Sequence, residues 1–260
     1  MIGKAFKWAV VAGTLFALTN LGYYGYRAVT VDGYGSNSTP LSSTGTITVE
    51  TGGSAPQPIA AQGAPIRLAV PFTPQAPLGD WARHQESCEE ANLAQLAAYY
   101  SGNHSEALDR YAADRTINQL VAWQVKNWGS EDDLTDVRLG KLAEAYYGYQ
   151  YEVLPMTDAG LRAQLAAGRP VIIGVTTHAL GNPAYPNYEL HYLQIGYSVS
   201  HFITIVGVDG SGYIVNDPGL TAGRGYHVGY GRLVFAIQNL DQLHPALDEG
   251  QVMLVIHPRG

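Results

Sequence analysis

The 260-residue chain has a single cysteine, Cys88. One thiol cannot close an internal disulfide or build a multi-cysteine zinc site. Charge is scarce too, at 14% of residues, and the net charge is -7. No basic run or stripe occurs, so the electrostatic footprint of a nucleic-acid binder is missing. No H-E-x-x-H helix or similar close spacing of metal ligands is present. No internal repeat is found either. What remains is an ordinary globular composition, 46% hydrophobic. Its folded part of roughly 190 residues is large enough to bury one core.

The first residues, "MIGKAFKWAVVAGTLFALTNLGYYGYRA", place Lys4 and Lys7 before an apolar run from Trp8 to about Leu21. A positive start followed by an apolar stretch reads as a signal peptide or an uncleaved signal anchor over residues 1–32. Extended to Tyr26, the stretch approaches the ~20 residues of a membrane span. The lysines ahead of it keep the N-terminus in the cytoplasm and put the rest outside. Residues 33–65 are rich in Gly, Ser, Thr and Pro and bury little, which predicts a flexible linker. The domain proper is expected over residues 66–260.

Within it, "IRLAVPF" reads as a strand, and "TPQAPLGDWARHQES" as an irregular loop. Helices are expected over Cys88–Tyr100, about Ser105–Asn127 and Leu134–Tyr147, with Gly148 as a C-cap. "YEVLP" is a strand, and "TDAGLRAQLAAG" a short helix capped by Thr157. The remaining strands are "RPVIIGVTT", "HFITIVGVD", "GYIVNDP", "GYHVGYGRLVFAI" and "VMLVIHP". Helices first and antiparallel strands afterwards make an α+β pattern.

Cys88 falls where its helix should begin. Unpaired N–H groups and the helix dipole lower a thiol's pKa at such a place. Glu89 and Glu90 oppose that, so a nucleophilic role needs a cationic partner. A buried structural cysteine is the competing reading. Among the eight histidines, His201 opens the apolar strand "HFITIVGVDG", well placed to face a cleft. His191 is its closest competitor, and His84 reads as a loop residue. "VDGSG" predicts a tight hairpin that brings Asp217, at the end of the next strand, within a couple of residues of opposing His201. A carboxylate there can orient the imidazole. Asp217 also suits a turn before Pro218 and Gly219.

The order "VPFTPQAP", "SCEEAN", "GRPVIIGV", "LGNP", "HFITIVGVDG" and "YIVNDPG" resembles the papain-like cysteine peptidases of the double-glycine (bacteriocin-leader) type. It is most similar to stand-alone, secreted or anchored members with Cys-Glu-Glu-Ala at the nucleophile. The resemblance spans about Ala69–Asn239. It implies a papain-like α+β fold, with N-terminal helices packed on a C-terminal antiparallel sheet. It also implies Cys88 as nucleophile, His201 as general base and then acid, Asp217 as its orienting group, and Gln75 as an oxyanion donor beside the Cys88 N–H. Gln75 matches the motif and lies thirteen residues before Cys88, whereas Gln85 lies three before it.

These readings add up to hydrolysis of peptide or isopeptide bonds outside the membrane. No cofactor or metal is expected. The partners are a peptide or protein substrate and, through the N-terminal segment, a membrane; nucleic acid is not one. The segment "THALGNPAYPNYELHYLQIGYSVS" is expected to wall the cleft and select substrate. Two alternatives from other classes are an inactive, tethered peptide-binding module on the same scaffold, and a metalloenzyme using His178, His191, His201 and Asp217.

Overall fold

A computed structural model describes residues 64–182, 199–247 and 249–259. The expected anchor and nearly all of the linker lie outside them, as do His191 and most of the expected cleft-walling segment. Among the described residues no helix is long and apolar enough to cross a membrane.

One short strand and three helices open the fold. Helix α1, Cys88–Tyr100, follows the short strand β1, Ile66–Arg67. Helix α2, Arg110–Trp128, is capped by Asp109, whose carboxylate accepts from Ala112 N at 2.9 Å. Helix α3, Asp136–Tyr147, starts at Thr135 and stops at Gly148, which adopts φ 71°, a left-handed turn that suits glycine. Then come β2, Gln150–Pro155; α4, Asp158–Ala166; β3, Val171–Thr176; and the single turn α5, Thr177–Leu180. Strands β4, Ser200–Asp209, and β5, Gly212–Asn216, form the tight hairpin. Strand β6, Arg224–Val228, helix α6, Tyr230–Leu243, and β7, Val252–His257, complete the element order.

The sheet order is β2-β7-β3-β4-β5-β6, with β1 beside β4 and every pairing antiparallel. Side chains alternate across it with period two. Ile172, Phe202, Leu254 and Ile256 join Cys88, Leu93, Leu96, Leu139 and Leu142 in one core on the α1–α3 face. Val171, Ile173, Ile203, Ile205 and Val255 join Leu161, Leu233 and Ile237 in another, on the α4 and α6 face. Covering both faces explains why β3 is buried at every position.

Two sequence readings are corrected. "GYHVGYGRLVFAI" is not one strand: it turns at Gly229 and continues as α6. Leu233, Ala236, Ile237 and Leu240 are its buried residues, spaced for a helix, and that spacing overrides the local β-preference. "IRLAVPF" pairs as a regular strand only at Ile66–Arg67. Leu68 N still donates to Val206 O at 2.8 Å, but from Ile205 back along β4 that edge is occupied by β3, with Val171 opposite Ile205. Phe72 instead makes an isolated bridge to Ala107.

Candidate active site

Helix α1 delivers Cys88 on its first turn. Ser87, at the cap position, makes no capping bond to the helix. Its hydroxyl bonds His84 Nδ1 at 3.2 Å instead. His84 Nε2 in turn meets Asp114 of α2 at 3.2 Å, so this buried histidine ties the approach to α1 onto α2. The Ser87 side chain thus leaves the first turn of α1 uncapped.

Cys88, Asn92 and Gln95 lie at i, i+4 and i+7, one face of the helix. All three meet the sheet or the chain beside it. Asn92 Nδ2 donates to Cys88 O at 2.8 Å and to Phe202 O of β4 at 2.9 Å. Its Oδ1 accepts from Thr204 Oγ1. Gln95 Oε1 accepts from Asn216 Nδ2 at 3.0 Å. Asn92 thus ties the carbonyl of Cys88 to that of Phe202, the residue after His201.

The β4–β5 register sets the second half of the site. Asp209 opposes Gly212, and after one irregularity Thr204 opposes Asn216. Asp217 follows directly, and His201 Nε2 lies 2.8 Å from its Oδ1. Asn182 Nδ2 donates to Oδ2 at 3.0 Å, and Gly219 N to Oδ1 at 2.9 Å. Burial pushes the Asp217 pKa up, but the His201 charge and these hydrogen bonds outweigh it and hold the group below the usual carboxylate range. Asp217 is therefore the ionised partner of a ring whose Nδ1 is left to face other chemistry.

The thiol has a partner that the sequence reading did not assign. Cys88 Sγ donates to Glu89 Oε2 at 2.9 Å, and Glu89 Oε1 accepts from Leu134 N at 2.9 Å. Among the described residues, thiol and imidazole share no hydrogen bond. Catalytic contacts are often long before substrate arrives. Burial, then the Glu89 and Asp133 charges, push the Cys88 pKa well up, against the Phe202 backbone contact. Burial raises Glu89 as well, followed by the Glu90 and Asp133 charges.

Gln75 is buried near the site, but its amide is occupied. Nε2 donates to His84 O at 2.7 Å and Gln85 O at 3.0 Å, spending both hydrogens on the loop before α1. In this structure it is a clamp on that loop rather than a free oxyanion donor. Gln85 enters this contact only through its carbonyl. Among the described residues no three His, Cys, Asp or Glu are grouped to hold a metal.

Asn92 and Asn182 are the polar residues that sequence reading passed over. Asn92 had a usable signal: an amide one turn after the cysteine, on a helix whose other neighbours are buried. Asn182 lies within "LGNP", at the start of the segment expected to wall the cleft.

The model of the Peptidase_C39 like family matches residues 67–235. A Bacillus anthracis protein with a crystal structure, described as a putative C39-like peptidase, aligns over 75% of this chain and 98% of its own at 16% identity and TM-score 0.45. Among curated proteins no match was found.

Proposed function

The chain belongs to the Peptidase_C39 like family, and we propose that it is an active cysteine peptidase with a Cys88–His201–Asp217 triad. One observation carries the reading. A buried His–Asp pair at 2.8 Å sits one residue from Phe202, whose carbonyl shares the Asn92 amide with the carbonyl of the chain's one cysteine, at a helix start.

In this mechanism His201 Nδ1 takes the thiol proton, while Asp217 holds Nε2 and stabilises the imidazolium. The sulfur attacks an amide carbonyl. The Cys88 N–H, at the open first turn of α1, donates to the oxyanion. Gln75 becomes the second donor if Nε2 exchanges one of its loop carbonyls for the substrate oxygen. His201 then protonates the leaving amine, and water releases the acyl group.

The substrate is a peptide or protein. The N-terminal segment would anchor or export the domain, placing hydrolysis outside the cytoplasmic membrane. The thiol's bond to Glu89 favours a second reading, an idle nucleophile on a peptide-binding module.

Cleavage of a peptide library by the parent, Cys88→Ala and His201→Ala proteins separates these readings. Only the parent should cut. Equal cutting by Cys88→Ala would remove the nucleophile assignment, and no cutting by any of the three would favour the binding module.

A further inference from the structure

Glu89 is a buried carboxyl with no task in triad chemistry, and it touches the reacting atom. Its side chain is about as buried as the centre of the core, at 1% exposure. Oε2 lies 2.9 Å from Cys88 Sγ, and Oε1 is fixed by Leu134 N at 2.9 Å. The ionisable groups around it are Cys88 and Glu90 from α1, and Asp133 from the loop before α3. The sheet reaches this turn of α1 through Phe202 O, which accepts from Asn92 Nδ2 at 2.9 Å, with His201 next in the chain.

Apart from the imidazole, every one of these groups is neutral or negative. A carboxylate and a thiolate at this separation, both out of water, would be two like charges in one site. Such pairs keep a proton between them. Ionising Cys88 therefore requires Glu89 to be neutral.

We propose that Glu89 is a fourth catalytic group, a neutral carboxylic acid that donates its Oε2 hydrogen to the Cys88 thiolate. The inference rests on Cys88 being the nucleophile. The protons balance as follows. The thiol proton passes to His201 Nδ1, giving thiolate and imidazolium, while the Glu89 hydrogen stays on Oε2 and turns toward sulfur. When a sulfur lone pair forms the C–S bond, that hydrogen bond is released. The carbonyl electrons go to oxygen, and the imidazolium proton goes to the leaving amine as the C–N bond breaks. Glu89 ends the cycle with the proton it began with. Once ionised, the same oxygen accepts the S–H and holds Cys88 as an idle thiol. One contact thus supports the nucleophile at low pH and locks it at high pH.

The test is the rate at which iodoacetamide alkylates Cys88 in the full chain, from about pH 5 to about pH 9. An ordinary thiol reacts faster as pH rises. The wild-type rate should instead level off or fall as Glu89 ionises. Glu89→Gln keeps a donor but cannot ionise, so its rate should keep rising and exceed wild type on the order of tenfold at the alkaline end, one pKa unit's worth. Glu89→Ala lacks the donor and should react more slowly than Glu89→Gln at acid pH. Superimposable wild-type and Glu89→Gln profiles would overturn the proposal. His201→Ala tests the triad separately: if its acid-side rate equals wild type, the triad reading fails, whatever Glu89 does. Infrared difference spectra on wild type give a readout independent of activity. A protonated-carboxyl band that is lost on raising the pH and missing from Glu89→Gln supports the role. Full ionisation of the carboxyls at acid pH would sink it.

Discussion

Asp217 is held from three directions: by the His201 ring, the Asn182 amide and the Gly219 N–H. Its lowered pKa fixes a sign. The unfolded chain binds that proton more tightly, so the pair stabilises the fold above the ordinary aspartate range and loses this as pH falls through the folded value. The His201–Asp217 contribution should therefore persist to below about pH 3.9, the ordinary aspartate pKa. Acid unfolding monitored in wild type and Asp217→Asn would check it: the variant's curve should be the flatter one in that range. Removing one buried hydrogen bond costs roughly 1 kcal/mol, or somewhat under tenfold in rate. Asn182→Ala should lower kcat by about that factor and leave KM nearly unchanged; a change confined to KM would mean that Asn182 serves substrate rather than Asp217. Gly223 is an indirect support. A Cβ there would lie 1.9 Å from the Asp217 carbonyl oxygen, too close for any side chain. Gly223→Ala should therefore displace Asp217 and reduce activity more than stability, as comparison of kinetics with thermal melts would reveal.

Helix α1 meets the sheet through amides as well as apolar contacts. Asn92 spans the turn that holds Cys88 and the strand that holds His201, so both halves of the site share one buried side chain. Asn92→Leu takes this partner from the Phe202 carbonyl and the Thr204 hydroxyl, while Cys88 O keeps its helical bond from the backbone N–H at position 92. At roughly 1–3 kcal/mol per buried group left unsatisfied, destabilisation of several kcal/mol is expected in urea titrations. On the opposite side of α1, Gln124 Nε2 of α2 donates to Glu90 Oε1, while Glu90 Oε2 and Gln124 Oε1 are buried without partners. A proton on Oε2 would satisfy both orphans by donating back to the amide. Burial pushes the Glu90 pKa up to about 7, against the Gln124 hydrogen bond, which fits that protonated form.

At the scale of the molecule, burial gathers several raised carboxyls among the described residues. Burial raises Glu86 and Asp136, like Glu90, to about 7. For a raised acid the folded state binds the proton more tightly. Its stabilisation is complete below the unfolded pKa and is lost as pH rises through the folded value. Melting temperature should therefore fall as pH rises from about 4.5 to about 7, the ordinary and raised values of Glu90. Glu90→Gln should flatten that slope; an equal slope in both proteins would show that Glu90 does not carry it. The two-faced sheet makes a second expectation. Ile172 is fully buried beneath the α1–α3 face. Ile172→Ala should cost about 2–5 kcal/mol, measurable by urea titration.

Much of this architecture is legible along the chain. Thr157 and Gly148 bound their helices through local chemistry, and the "VDGSG" turn fixes which residues of β4 and β5 oppose each other. Pairing then carries His201 to Asp217, because a hairpin register follows from its loop. Other features depend on residues far away in sequence. The run after Gly229 becomes a helix because β3 and its neighbours need a cover on their second face. Gln75 Nε2 holds two loop carbonyls because the loop before α1 folds back onto it. Glu89, next to the nucleophile in sequence, reads as an ordinary first-turn acid until Leu134 and Asp133 close over it. The sequence by itself thus determined the order of elements, the hairpin register and the three residue types available for acyl transfer. Tertiary structure decided which donors remain free and which carboxyls are buried, since burial and competing hydrogen bonds arise only when distant segments pack together.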